Sequence, residues 1–178
     1  CVGWPRPPAY PGCGEPSPSG PAFSSVLRYT PDMPVIERSA LLPYAAEQVF
    51  DLVADIERYP EFLEGCVGAE IHERGEEIVT ATLRLSRAGI SHGFTTRNTM
   101  TRPEKIELTL VDGPFDSFSG QWMFRALGEA ACKTSLRLHF ELTSGLANAA
   151  AGKLFDKVAL DLVDAVVRRA NQELEVAT

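Results

Sequence analysis

The sequence predicts an α+β domain: a seven-stranded antiparallel sheet wrapped on one long C-terminal helix, with two short helices after the first strand. Three observations carry this. Six runs of alternating apolar and polar residues follow one another between Val67 and Leu142, separated only by short turns. A wide apolar stripe at helical spacing closes the chain. Before both stand one strand-like run and a short amphipathic segment broken by Pro60.

In order, Val35–Leu42 alternates as a first strand, and Pro43-Tyr44 breaks it. Ala46, Val49, Phe50, Val53 and Ile56 then recur on one face of a helix over Ala45–Ile56. Pro60 confines the next element to a short helix or turn over Glu57–Leu63. Val67–Glu73 ends at Arg74-Gly75 and is followed by Glu77–Ser86, where Val79, Ala81, Leu83 and Leu85 share one face. Ala88-Gly89 leads into Ile90–Thr101, and Arg102-Pro103 into Lys105–Val111 with Ile106, Leu108 and Leu110 inward. Asp112-Gly113-Pro114 precedes Phe115–Leu127, with Phe118, Trp122 and Phe124 on one face. In Ala131–Leu142 the alternation is cleanest: Cys132, Leu136, Leu138, Phe140 and Leu142 oppose Lys133, Ser135, Arg137, His139 and Glu141. Strands joined by short turns form an antiparallel meander, dry on one face and wet on the other. From Leu154 to Leu174 the helical stripe includes Phe155, Val158, Ala159, Leu162, Val163, Val166 and Val167. A stripe this wide needs a large apolar partner, and the dry face of the sheet supplies it.

The 178 residues, 44% hydrophobic and 23% charged, fit one soluble domain with a real core. The net charge of -7 argues against a broad phosphate-gripping surface, though a local basic patch is compatible with it. Cys1, Cys13, Cys66 and Cys132 are widely spaced and form no C-x-x-C pair, so reduced thiols are expected and no disulfide framework. No histidine or cysteine pair has metal-ligand spacing, so no metal site is expected. No apolar run reaches the roughly 18 residues of a transmembrane helix, and neither a signal nor a transit peptide is legible. The expectation is a cytoplasmic protein with any membrane contact peripheral.

Residues 1–32 read differently. They hold eight of the 13 prolines and four of the 14 glycines, and their two basic and two acidic residues cancel. This predicts a disordered or extended N-terminal extension, with the folded domain spanning 33–178. A second reading makes Met33 the natural start of the chain. Gly12-Cys13-Gly14 is no phosphate loop, because no strand precedes it and no helix follows.

The run Val49-Phe50-Asp51-Leu52-Val53-Ala54-Asp55-Ile56-Glu57-Arg58-Tyr59-Pro60-Glu61-Phe62 resembles the signature of the coenzyme-Q-binding START-domain family, within the polyketide cyclase superfamily. Phe94-Thr95-Thr96-Arg97-Asn98, Leu110-Val111-Asp112-Gly113-Pro114-Phe115, Trp122-Met123-Phe124 and Arg169-Ala170 fit in the same order, so the resemblance spans Met33 to about Glu175. Its fold is the helix-grip (START/Bet v 1-like) arrangement, which agrees with the element order above. Two positions depart from the pattern: Glu64 stands where proline is common, and Val166 where phenylalanine is frequent, which predicts a wider cavity or a shifted cavity floor.

The resemblance implies that the protein binds ubiquinone or a similar polyprenyl lipid between sheet and helix, as a carrier supporting respiration rather than an enzyme. No cofactor beyond that bound ligand is implied. The candidate ligand-binding residues are Tyr59 and Phe62 beside the second short helix, and Phe94, Thr96, Asn98 and Met100 on one strand. Phe115, Phe118, Trp122, Phe124 and Phe140 join them from the last two strands, and Phe155, Val158, Leu162 and Val166 from the final helix. Thr96 and Asn98 are the polar points suited to quinone carbonyls. A domain of this length is roughly 35–40 Å across, and typical pockets are about 300–1,000 Å³. A long tail would therefore leave through an open mouth or be shared across a homodimer, and peripheral contact would be at the inner membrane.

Asp55, Arg58, Tyr59 and Arg97 form a polar set with two readings, a structural network tying the short helices to the sheet or a rim gating the pocket. His72 and His139 fall on wet faces. The same family includes bacterial ribosome-association toxins, which implies the alternative of binding the large ribosomal subunit and blocking subunit joining. Related proteins cyclise polyketides, but that chemistry needs positioned acid–base groups, and only His92 falls near the pocket with no partner.

Overall fold

The computed structural model describes residues 24–30, 33–144 and 149–175. All seven anticipated strands form one antiparallel sheet: β2 (Met33–Leu42), β3 (Cys66–Arg74), β4 (Ile78–Arg87), β5 (Ile90–Thr101), β6 (Lys105–Asp112), β7 (Phe115–Gly128) and β8 (Ala131–Leu142). An eighth, β1 (Ser24–Thr30), pairs antiparallel with β2 from Ser24↔Ser39 to Thr30↔Met33. The sheet order is β1-β2-β8-β7-β6-β5-β4-β3.

Within the segment expected to be disordered or extended through residue 32, β1 is an extended run that, against that expectation, joins a ladder. The other prolines of that segment lie between Pro5 and Pro21 or at Pro31, so Ser24–Thr30 contains none. Val26, Leu27, Tyr29 and Thr30 favour strands, and Pro31-Asp32 is turn chemistry. Composition averaged over 32 residues hid this run. The rest of the expected extension, residues 1–23 and 31–32, lies outside the described residues.

After β2, α1 (Ala46–Ala54) buries Ala46, Val49, Phe50 and Val53, the i, i+3, i+4, i+7 face read from the sequence. Its first turn is braced by the Gln48 side chain, which accepts the Ala45 amide at 3.2 Å. A short 3-10 turn (Ile56–Arg58) and α2 (Tyr59–Phe62) follow, with Pro60 in the first turn, where its missing N–H costs nothing.

Bulges at Cys66/Gly68, Ile71/Glu73, Thr95/Thr96, Phe115/Ser117 and Ala126/Gly128 interrupt the ladders and add curvature. The bulge after Phe115 matters most. It places Phe115 on the same face as Phe118, Trp122 and Phe124, against strict alternation. Gly113 enters β7 with φ of 152°, and a Cβ there would lie 2.6 Å from that of Phe94, so only glycine fits.

α3 (Ala149–Leu174) crosses the inner face and packs on β2, β4, β8 and the two short helices. Its buried side includes Leu154, Phe155, Val158, Val163, Val166 and Ala170. Polar ties fix its C-terminal half: Arg38 reaches both Asp164 carboxylate oxygens at 2.9 Å, and the Tyr44 hydroxyl meets Asn171 at 3.1 Å.

Candidate functional site

Between the curved sheet and α3 lies a small apolar cavity of ≈70 Å³. A second space of ≈30 Å³ adjoins it beneath α1. Typical small-molecule pockets measure about 300–1,000 Å³, so the interior is close to filled.

Aromatic rings fill it. The Phe115 ring stands 4.8 Å from Phe155, 5.2 Å from Phe118, 5.6 Å from Phe94 and 5.8 Å from Phe140, centre to centre. Most of these pairs meet edge to face, the arrangement that ring quadrupoles favour. The cluster draws on β5, β7, β8 and α3, so it closes the gap from both layers.

The structure brings most of the candidate residues together. Tyr59, Phe94, Thr96, Phe115, Phe118, Trp122, Phe140, Phe155, Val158 and Leu162 line the larger space. Asn98 and Met100 line the smaller one, which Tyr59, Thr96 and Trp122 share. Thr96 and Asn98 are buried and bonded to each other, the hydroxyl donating to the amide oxygen at 3.1 Å.

Three candidates lie elsewhere. Phe62 points to the α2–α3 seam, beneath the Arg169 guanidinium 5.5 Å from its ring. Phe124 packs against Phe50 at 5.3 Å, under α1. Val166 is buried in the core and lines neither space, so its small size does not widen them. Leu83, Leu85, Leu108 and Leu138 line the cavity as well. Alternation places all four inward, and none is among the candidate residues, which are mostly aromatic. Ala159, also lining it, belongs to the apolar stripe of the final helix, while Leu63 had no signal beyond apolarity.

The polar set separates. Arg58 bridges Glu61 at 3.0 Å and Glu173 at 2.9 Å, and Arg169 joins the same two carboxylates, so a four-charge ring ties α2 to α3. The Tyr59 hydroxyl donates to the Val53 carbonyl at 2.7 Å, and burial holds its pKa well above the ordinary value. Arg97 is exposed on the outer face, opposite Thr80 and Thr109. Ties from short helices to sheet run instead through Arg74–Glu57 and Arg102–Asp51, both at 2.5 Å.

His92 stands 6.0 Å from the Phe155 ring and half-buried. His72 is exposed and bonded to the Thr82 hydroxyl at 2.6 Å. His139, expected on the wet surface, is on the outer face but half-buried, its Nε2 lacking a hydrogen-bond partner. Cys66 and Cys132 are buried free thiols, their pKa pushed up by burial. Among the described residues no cluster of His, Cys, Asp and Glu is placed to hold a metal ion. No helix among them is long and apolar enough to cross a membrane.

The outer face carries larger depressions. One of ≈400 Å³ is lined by residues including Glu37, Gln121, Met123, Lys133 and Arg137. Another of ≈330 Å³ lies beside it, around Thr109, Ser119 and His139. A further depression of ≈400 Å³ lies off that face, where Arg87 and Ile90 of the β4–β5 hairpin meet Lys153 and Lys157 of α3.

Residues 42–167 match the family model described as polyketide cyclase / dehydrase and lipid transport. The chain belongs to that family. Among curated members it is 47% identical to the ribosome association toxin RatA of Vibrio cholerae, over 79% of this chain and 97% of that one. It is 44% identical to RatA of Escherichia coli K12, over 79% and 89%. The mitochondrial coenzyme Q-binding protein COQ10 of Drosophila melanogaster is more distant, 22% identical over 76% of this chain and 57% of that one. The family fold recurs in the ZhuI aromatase/cyclase of a Streptomyces species, with a TM-score of 0.69, 19% identity and coverage of 80% and 96%. A START superfamily protein of Mycobacterium smegmatis superposes with a TM-score of 0.65, 20% identity and coverage of 78% and 97%. The fold, helix-grip as the sequence implied, is thus shared with enzymes, while the relatives nearer in sequence are named as toxins.

Proposed function

We propose that this protein associates with the ribosome, binding the large subunit and blocking subunit joining, as a RatA-type toxin rather than an enzyme. The observation that carries this is the 44–47% identity to proteins named for ribosome association, across nearly their whole length. The filled interior supports it, because ring packing leaves ≈70 Å³ where a prenylated quinone needs several times that. The cavity lining also lacks an acid–base pair: its polar side chains are Tyr59, held as a neutral phenol, and Thr96. The test is sedimentation. In a sucrose gradient of ribosomes at dissociating and associating magnesium concentrations, the protein should migrate with the large subunit and raise free subunits at the expense of joined ribosomes. A protein that stays at the top of the gradient overturns the reading.

A quinone-carrier role is the second reading. It is favoured by the buried Thr96–Asn98 pair facing the smaller space within an otherwise apolar lining. It requires Phe94, Phe115, Phe118 and Phe155 to move apart. Native mass spectrometry of the purified protein, read for a bound prenyl lipid, decides it.

A further inference from the structure

Strand register maps the outer face in rows. In one row Leu41 of β2, Lys133 of β8 and Arg125 of β7 lie side by side; in the next, Ser39, Ser135, Met123 and Lys105. Leu41, Met123 and Leu127 are exposed at 41%, 42% and 53%, and all three are large apolar side chains.

Arg125 and Lys133 face each other directly across the β7–β8 ladder. Side chains at such positions have Cβ atoms about 4.5–5.5 Å apart, and like charges there are destabilising. On this face Arg137 is neutralised by Glu37, Arg84 by Glu70 at 2.6 Å and Lys105 by Glu107 at 2.9 Å, while Arg97, which forms no ion pair with a described residue, faces Thr80 and Thr109 rather than a second cation. Neither Arg125 nor Lys133 forms an ion pair with any described residue, and both are exposed. Glu129, at the tip of the hairpin, forms no ion pair with them either. Two unpaired cations are thus held together, at a cost in stability, on a chain whose net charge is -7.

We propose that this corner, Arg125 and Lys133 flanked by Leu41, Met123 and Leu127, is the surface that grips RNA phosphates when the protein docks on the ribosome. The proposal rests on the ribosome-association reading. A phosphodiester brings the anionic charge that the pair lacks, and Arg and Lys are the side chains that bind it. The apolar neighbours offer contact to ribose and base. A compact two-cation site suits a chain of acidic net charge, because it engages phosphates locally while the rest of the surface repels unspecific RNA. A bilayer, by contrast, presents a plane of anions that the acidic remainder of the molecule would also have to approach.

The test compares the full chain with Arg125→Glu/Lys133→Glu and with Arg87→Glu/Lys153→Glu, which makes the same charge change where the β4–β5 hairpin meets α3. Binding is measured to isolated large subunits, to deproteinised ribosomal RNA and to anionic phosphatidylserine vesicles, each against salt. Circular dichroism confirms that the variants fold. Expected is at least a tenfold loss of subunit binding in the first variant, with the salt slope reduced by about 1.4–1.8 for two lost phosphate contacts. The hairpin variant should stay within about threefold of the parent. Equal losses in both variants, or unchanged binding in the first, overturn the proposal while leaving ribosome association intact. Parent protein that ignores subunits but binds free RNA through this pair sinks the ribosome reading and supports the RNA surface. Binding to vesicles alone, or to nothing, overturns both.

Discussion

Strands β7 and β8 show opposite chemistry on their two faces. Inward, Phe115, Phe118, Trp122, Leu136, Leu138 and Phe140 interlock with Phe155 of α3 around ≈70 Å³ of residual space. Outward, the same strands carry Gln121, Met123, Arg125, Lys133, Arg137 and His139 beside depressions of ≈400 and ≈330 Å³. Packing accounts for every inner residue: each fills volume or excludes water. Packing does not account for Arg125 facing Lys133. The difference separates residues kept for folding from residues whose placement weakens the fold, and the second kind points to a partner.

The largest effect should come from emptying the inner face. Phe115→Ala removes the ring that joins Phe94, Phe118, Phe140 and Phe155, and should lower unfolding free energy by about 3–5 kcal/mol in urea denaturation. If the variant stays folded, ribosome association should persist. A folded Phe115→Ala protein that no longer meets the ribosome would break the division between faces, because the interior would then be part of the site. Gly120 belongs to the same tight region. A Cβ there would stand 2.7 Å from a Leu138 methyl and 3.1 Å from a Leu108 methyl, so both side-chain tips would have to shift to admit it.

An intermediate effect is expected at the seam of α2 and α3. The Arg169 side chain is 11% exposed, pairs with Glu61 and Glu173, and covers the Phe62 ring. Arg169→Ala should cost about 1–2 kcal/mol, from one cation–π contact and partly desolvated ion pairs. Arg169→Lys should restore only part of this, since an ammonium cannot both stack and fork. Thermal unfolding measures both. A loss below 0.5 kcal/mol would mark the charge ring as a surface feature of little structural weight.

Much of this was legible in the residues. Period-two alternation placed Leu83, Leu108, Trp122 and Leu138 inward, and the stripe from Leu154 to Leu174 named the face of α3 that meets them. What stayed hidden depends on backbone detail or on volume. The bulge that turns Phe115 inward has no signature in a two-residue period. β1 was masked by the prolines around it. Phe62 and Val166 share the apolar character of true lining residues, yet Phe62 sits under Arg169 at the α2–α3 seam and Val166 is buried away from both spaces. Above all, a list of aromatic residues facing a gap does not say whether they line the gap or fill it. Here they fill it, because Phe155 descends from α3 into the ring formed by the strands. The facing of Arg125 and Lys133 was likewise beyond reach, since it needs the register of β7 against β8.

The smallest effect is the sharpest test of the contrast, because its sign is unusual. Replacing an exposed lysine on a strand is ordinarily neutral or slightly harmful. Lys133→Glu should instead stabilise the fold by about 0.2–1 kcal/mol, since it turns a repulsive cross-strand pair with Arg125 into an attractive one. The gain should shrink as salt is raised from low ionic strength toward 1 M, where the screening length falls to about 3 Å. Urea unfolding of parent and variant at the two salt concentrations gives the number. Arg125→Glu/Lys133→Glu is the control: it restores like charges, now both negative, and should lose the gain. If Lys133→Glu proves destabilising at low salt, the two cations do not repel in the native protein. The outer corner then carries no stored cost, and the reason for seeking a phosphate partner there disappears.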